Sequence, residues 1–280
     1  MEFTSRDGEQ RYADLVRAAS RAVVGLDFDG TLAPIVDDPE QAHIHPDASD
    51  VIVDLAGEVA GIAVITGRPA RQVLDLGGLE DVGRRLGDAG SDLHVFGQYG
   101  NERWSSTNRR ILSPRPPKGL ATFERDLPAL LRRHDAADAY VEDKGLAVAV
   151  HTRRLPDRDA AFQRLLPAIG DLAKRCDLVV EPGRNVIEVR SPGMHKGLAV
   201  HALVDEIDAG AFLFAGDDLG DLEAFEAIGE LRAGGMPTLL VCSASAEESA
   251  LVPLSDVVVT GPDGVLDLLR QLTVDARSSR

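Results

Sequence analysis

The run Val23-Val24-Gly25-Leu26 breaks abruptly into Asp27-Phe28-Asp29-Gly30-Thr31. A short apolar, partly β-branched run of this kind reads as a buried strand, and Asp27 stands where that strand ends. In extended backbone, residues two apart point the same way, so Asp27 and Asp29 can share one pocket. Two carboxylates held together repel, which calls for a cation between them or a raised pKa on one. Gly30 lets the chain turn sharply, and Thr31 adds a hydroxyl. Asp and Gly are also ordinary turn residues. Alone, the stretch fits a plain surface turn, so its meaning depends on what the rest of the chain brings to it.

The rest of the first third repeats the pattern. Tyr12, Leu15, Val16 and Ala19 predict a helix over 9–21, and Val51, Ile52, Leu55 and Val59 predict one over 47–60. A loop with Pro34, Pro39 and Pro46 lies between the first strand and that second helix. A second strand, 62–65, ends in Thr66-Gly67-Arg68-Pro69, and a helix over 70–76 follows. A third strand, 93–96, ends in Gly97-Gln98-Tyr99-Gly100. Strands alternating with helices predict parallel βαβ units and an α/β, doubly wound, mostly parallel sheet.

The rhythm changes at Ser113-Pro114-Arg115-Pro116-Pro117, a stiff boundary. Beyond it come a helix over 120–133, a hairpin of 140–143 and 146–152 around Lys144-Gly145, and a helix over 158–175. A second hairpin pairs 178–181 with 186–190 around Gly183-Arg184-Asn185. The order α-β-β occurs twice, too few copies for a solenoid. It suits a four-stranded antiparallel sheet with two helices on one face. The expectation is an inserted α+β domain (αββαββ) at 114–191, within a core formed by 1–113 and 192–280. Ser191-Pro192-Gly193 mirrors the first boundary. A helix over 196–208 leads to the strand 211–215, which ends in Gly216-Asp217-Asp218-Leu219-Gly220-Asp221. Strands 238–241 and 257–259 and a helix over 265–272 close the core, with a disordered tail expected from Asp275.

The net charge of −16 argues against a nucleic acid or a membrane surface as partner. It leaves an anionic small molecule open, because a local basic group or bound metal outweighs the global field. Lysine occurs only at positions 118, 144, 174 and 196. Cys176 and Cys242 lie in no C-x-x-C pair or His/Cys cluster, so they read as core thiols rather than zinc ligands. Residues 1–10 are polar and lack the apolar stretch of a signal peptide, and no run is apolar enough to span a bilayer. The chain reads as soluble and cytoplasmic.

Three strand ends collect polar groups: Asp27 with Asp29, Thr66, and Asp217 with Asp218 and Asp221. Ligands of open parallel sheets bind outside those ends. Acids without soft donors suit a hard cation, Mg²⁺ before Zn²⁺. Lys196 beside them is either a plain salt bridge or a clamp on a phosphoryl group. Together the parts suggest phosphoryl transfer. One Asp would attack to form an aspartyl-phosphate, and the other would move protons.

In order, Asp27-Phe28-Asp29-Gly30-Thr31, Thr66, Lys196 and Gly216-Asp217-Asp218 resemble the four motifs of the haloacid dehalogenase-like phosphatases. The match is closer to the trehalose-6-phosphate phosphatase family. Leu32, Pro34, Ile35 and Pro39 continue its first motif, and Ile65-Thr66-Gly67-Arg68 resembles its [ST]-G-R. Glu142-x-Lys144, His151-x-Arg153 and Glu188-Val189-Arg190 before His195-Lys196-Gly197 resemble its cap signature. The resemblance implies a Rossmann-like core with an inserted cap. It implies Asp27 as nucleophile, Asp29 as acid and base, and Thr66 and Lys196 on the phosphate. Mg²⁺ would sit on Asp27, the Asp29 carbonyl and Asp217, with Asp218 and Asp221 in or next to that shell. Gly67, Arg68, Tyr99, Glu142, Lys144, Arg153 and Glu188 are the implied sugar contacts; by pattern alone, Glu142 and Lys144 equally suit a solvated hairpin tip.

Two positions depart from that pattern. Tyr99 replaces the His of G-x-H-G, and the Thr and Glu of G-D-D-x-T-D-E become Gly220 and Leu222. The implied reaction is hydrolysis of trehalose 6-phosphate to trehalose and phosphate. The same chemistry on sucrose 6-phosphate or a glucosyl-glycerate phosphate is the alternative, and a non-catalytic sugar-phosphate sensor is a third. The resemblance also admits functional coupling to a trehalose-6-phosphate synthase.

Overall fold

Short runs rich in valine, isoleucine and leucine, each followed by a helical period, build the main sheet. A computed structural model of the chain describes residues 2–36, 38–183, 185–244 and 250–279. The chain divides into two units, one of Met1–Ser113 with His195–Arg280 and the other of Pro114–Met194.

The first unit opens with β1 (Glu2–Phe3), α1 (Arg6–Arg17), β2 (Ala22–Leu26) and α2 (Ala48–Ala56). It continues with β3 (Gly61–Ile65), α3 (Ala70–Gly77), α4 (Leu79–Asp88), β4 (Leu93–Gly97) and β5 (Glu102–Ser105). The second unit holds α5 (Leu120–Arg133), β6 (Tyr140–Asp143), β7 (Ala147–His151), α6 (Arg158–Arg175), β8 (Val179–Gly183) and β9 (Val186–Arg190). The first unit then resumes with α7 (Lys196–Ile207), β10 (Ala211–Gly216), α8 (Leu222–Ala233), β11 (Thr238–Ala244), β12 (Val257–Thr260) and α9 (Gly261–Ser278).

The main sheet has the order β1-β12-β11-β10-β2-β3-β4-β5. Its inner strands are parallel, while β1 and β5 lie antiparallel on the edges. From β2 the chain adds β3 and β4 on one side, then returns to lay β10 on the other. The order reverses between β2 and β10, and there an open parallel sheet leaves a crevice at its carboxyl edge. Val24, Leu26, Val64 and Leu213 pack with Leu15, Ile52, Leu86 and Leu269 on one face. Val23, Ile65, Phe212 and Phe214 pack with Leu203 and Ile228 on the other. Helices cover both faces, so these strands are apolar throughout instead of alternating. This is the doubly wound α/β core expected from the sequence.

In the second unit the antiparallel order is β6-β7-β9-β8. Val148, Val150, Ile187 and Val189 pack against Phe123 and Leu127 of α5 and Leu165 and Ile169 of α6. The alternate residues point to the opposite face, which carries Glu142, His151, Glu181, Glu188 and Arg190 among small and apolar neighbours.

The structure corrects several expectations. The first helix runs from Arg6 to Arg17, with Ser5 accepting from the Gly8 amide as its cap. β1, α4, β5 and α8 are additional elements; α8 follows the acidic loop directly and buries Ala224, Phe225, Ala227 and Ile228. The disordered tail expected from Asp275 is instead the end of α9. Asp275 accepts from the Tyr12 hydroxyl (2.7 Å), and Arg277 reaches the buried Glu58 (2.9 Å). Cys176 and Cys242 are both buried. Within the second hairpin turn, Arg184 lies outside the described residues. Among the described residues, no helix is long and apolar enough to cross a membrane.

Candidate active site

β2 and β10 deliver their acids to the same edge. The Asp27 amide donates to the Ala215 carbonyl (2.9 Å), so strand pairing persists to the point where the carboxylates begin. Asp27, Asp217 and Asp221 each bring one oxygen within 4.8 Å of the others. Lys196, the first residue of α7, sets its Nζ 2.5 Å from Asp27 Oδ1 and 2.6 Å from Asp221 Oδ1. All three side chains of that bridge are almost wholly buried. A Cβ at Gly30 would fall 2.1 Å from Asp217 Oδ2, and Gly30 has φ +72°. Glycine is required there both for the turn and for the approach of that carboxylate.

Charge in this cluster is unbalanced. Burial pushes the carboxyl of Asp27 up, Asp221 and Asp29 push the same way, and Lys196 pulls against them. Burial pushes Asp217 up to about 9, with Asp27, Asp218 and Asp221 adding to it. Asp221 is raised chiefly by burial as well. Burial also disfavours the ammonium of Lys196, but Asp221 and Asp27 outweigh it and keep the group protonated. When all three acids are ionised they outnumber the one ammonium, and a divalent cation would balance that excess in place of protons. The clustered donors are all carboxylate oxygens, which fits a hard cation and does not favour zinc.

The acids divide their work. Asp221 Oδ1 accepts from Lys196, and Oδ2 accepts from the amides of Asp217 (3.0 Å) and Asp218 (3.4 Å). Both oxygens therefore hold the loop and the lysine in place. Asp218 is exposed, and its Oδ1 accepts from the Gly220 amide (2.8 Å), capping a short 3₁₀ turn. Asp29 stands apart from the cluster. Arg68 Nε donates to its Oδ2 (2.6 Å), Arg68 Nη2 to its Oδ1 (2.7 Å), and Arg68 Nη1 to the Pro39 carbonyl (2.9 Å). Thr66 is buried, its Oγ1 accepting from the Arg68 amide (3.1 Å). Gln98 and Tyr99 adopt positive φ (48° and 58°), and the Tyr99 amide donates to the Thr66 carbonyl (3.0 Å). That turn sets the Tyr99 ring against Gly67, where a Cβ would lie 2.8 Å from Cζ.

On the face of the second unit's sheet away from α5 and α6, Glu142, Ala149, Glu188 and Glu181 form one cross-strand row. Each carboxylate meets a basic group. His151 Nε2 lies 2.9 Å from Glu142, Lys144 Nζ lies 2.6 Å from Glu188, and Arg190 Nη2 lies 2.8 Å from Glu181. Glu188 is 5% exposed, and its Oε1 is buried without a hydrogen-bond partner among the described residues. Arg153 is exposed in the turn after β7. Glu181 was not anticipated, because no motif marks it. Counting residues back across the hairpin from Glu188 is the signal that finds it.

Residues 131–257 match the family model described as trehalose-phosphatase. A Mycobacterium tuberculosis protein named as an uncharacterized glycosyl hydrolase is 33% identical over 80% of this chain, which covers 17% of that protein. The trehalose-phosphate phosphatase of Mycobacterium leprae is 28% identical over 85% of this chain, which covers 58% of it. The chain thus spans only part of the length of either relative. In fold it is similar to the C-terminal domain of Candida albicans trehalose-6-phosphate phosphatase, with a TM-score of 0.75 at 20% identity over 98% of both chains.

Proposed function

We infer that this chain is a member of the trehalose-phosphatase family, with haloacid dehalogenase-like chemistry, and hydrolyses trehalose 6-phosphate to trehalose and phosphate. The cluster of Asp27, Lys196 and Asp221, all buried, with the half-buried Asp217, at the switch point of the sheet carries the reading.

Asp27, the Asp29 carbonyl and Asp217 would hold Mg²⁺, which when bound supplies positive charge to the phosphoryl oxygens. A carboxylate oxygen of Asp27 attacks phosphorus, and the bond to the sugar oxygen breaks. Asp29, as general acid, protonates that leaving oxygen. Asp29 then takes a proton from water. The hydroxide attacks phosphorus, the bond to Asp27 breaks, and phosphate leaves with Asp27 regenerated. Lys196 neutralises charge on the equatorial oxygens, and Thr66 orients them. Asp221 holds Lys196 and the Asp217 loop, and Asp218 caps the turn that carries them. Glu142, Lys144, Arg153 and Glu188, with Gly67, Arg68 and Tyr99, are the candidates for sugar contact. A buried carboxylate oxygen on Glu188 that lacks a donor among the described residues supports this, since a sugar hydroxyl would satisfy it. A trehalose-6-phosphate synthase is the expected source of substrate.

A phosphate-release panel with the purified protein and Mg²⁺ tests the reading. Trehalose 6-phosphate should be turned over fastest, ahead of sucrose 6-phosphate, a glucosyl-glycerate phosphate and an aryl phosphate. Preference for another sugar phosphate would move the substrate assignment. Tight binding without phosphate release would make the chain a sensor.

A further inference from the structure

β11 pairs with β10 up to Cys242, which lies opposite Gly216. The next residue, Ser243, is 1% exposed, and its Oγ donates to the Gly30 carbonyl at 2.6 Å. Because the sheet order is β11-β10-β2, this bond reaches past the end of β10 to the loop after β2. A hydroxyl buried in an apolar strand is unfavourable unless hydrogen-bonded, and this is the bond it makes.

What Ser243 grips is the residue that leans on Asp217, since a Cβ at Gly30 would fall on Asp217 Oδ2. Gly30 is fixed at its other end too, its amide donating to the Ala33 carbonyl (2.8 Å). In a trans peptide the N–H and C=O point in opposite directions. The Gly30–Ala33 bond therefore aims the Asp29 carbonyl away from Ala33, and the Ser243 bond fixes the next peptide plane.

We propose that Ser243 is a positioning residue for the divalent-cation site. Its hydroxyl locks the Gly30 peptide and, through it, the Asp29 carbonyl and the seat of the Asp217 carboxylate. This rests on the metal reading given above.

The test is titration calorimetry with Mg²⁺ on the substrate-free protein, wild type against Ser243→Ala. The substitution leaves the buried Gly30 carbonyl without its donor. Mg²⁺ affinity should fall about fivefold, equivalent to about 1 kcal/mol. A role in strand packing alone would lower the metal-free Tm and leave Mg²⁺ affinity unchanged, and that result overturns the proposal. Where Ser243→Ala does not fold, Ser243→Cys keeps the side chain's shape with a slightly larger atom and weakens the donor. Weaker Mg²⁺ binding by it supports the role, and wild-type affinity overturns it. Wild-type protein that takes up no Mg²⁺ overturns both the metal reading and this one; wild-type binding with an unaltered variant overturns only the role of Ser243.

Discussion

Arg68 grips Asp29 through two nitrogens, Nε on Oδ2 at 2.6 Å and Nη2 on Oδ1 at 2.7 Å, and anchors itself on the Pro39 carbonyl. A bidentate guanidinium fixes the plane of a carboxylate as well as its place. A residue expected from the sequence at the sugar is thus seated on the proposed proton carrier. Arg68→Gln should lower kcat/KM for trehalose 6-phosphate about a hundredfold, the scale of general acid–base catalysis. An aryl phosphate expels a stable phenolate and needs little protonation, so its loss should be less than about tenfold. Parallel kinetics on the two substrates check this. Equal losses would place Arg68 on the phosphate or the fold.

Asp27 is the only one of the clustered acids that both pairs with Lys196 and follows directly from β2. Asp27→Asn keeps the shape and removes the nucleophilic charge. Turnover should fall by about 10⁴-fold or more, as for other covalent-catalysis residues, with far-UV circular dichroism unchanged. Activity close to wild type would remove Asp27 as nucleophile.

The strand ends were legible because Asp27, Thr66 and Asp217 each follow an apolar run immediately, so the strand and its chemistry announce each other. Contacts that depend on sheet order were not. Arg68 meets Asp29 only because β3 lies beside β2, and Ser243 meets Gly30 only because β11 and β2 flank β10. Which acids cluster was equally hidden. A 3₁₀ turn sends Asp218 to the Gly220 amide and Asp221 inward, and spacing does not fix that choice. α8 escaped notice because it begins within the acidic motif, and Asp275 joined α9 through a partner, Tyr12, at the far end of the chain.

Glu142 sits in a row of carboxylates, each paired with a base, on the face of its sheet away from α5 and α6. Glu142→Ala should raise KM for trehalose 6-phosphate by about tenfold, the worth of one charge-assisted hydrogen bond. KM for an aryl phosphate should stay within about twofold, because that substrate has no sugar hydroxyl to lose. Matching changes on both substrates would take Glu142 out of sugar recognition.

Asp217 gives the metal-free fold a pH dependence of definite sign. Burial, then Asp27, Asp218 and Asp221, raise its carboxyl from 3.8 to about 9. Between those values the folded protein keeps a proton that the unfolded chain releases. Stability from this group is therefore full below about 3.8 and declines as pH rises toward about 9. In a chelator, wild-type Tm should fall as pH is raised through neutrality. Asp217→Asn, which has no charge to bury, should show a flatter profile and a Tm higher by about 2–4 °C at neutral pH. Saturating Mg²⁺ should raise the wild-type Tm through preferential binding to the fold, and should leave Asp217→Asn almost unmoved. Thermal scans across pH, with and without Mg²⁺, read all of this. Identical slopes for the two metal-free proteins would clear Asp217 as the source.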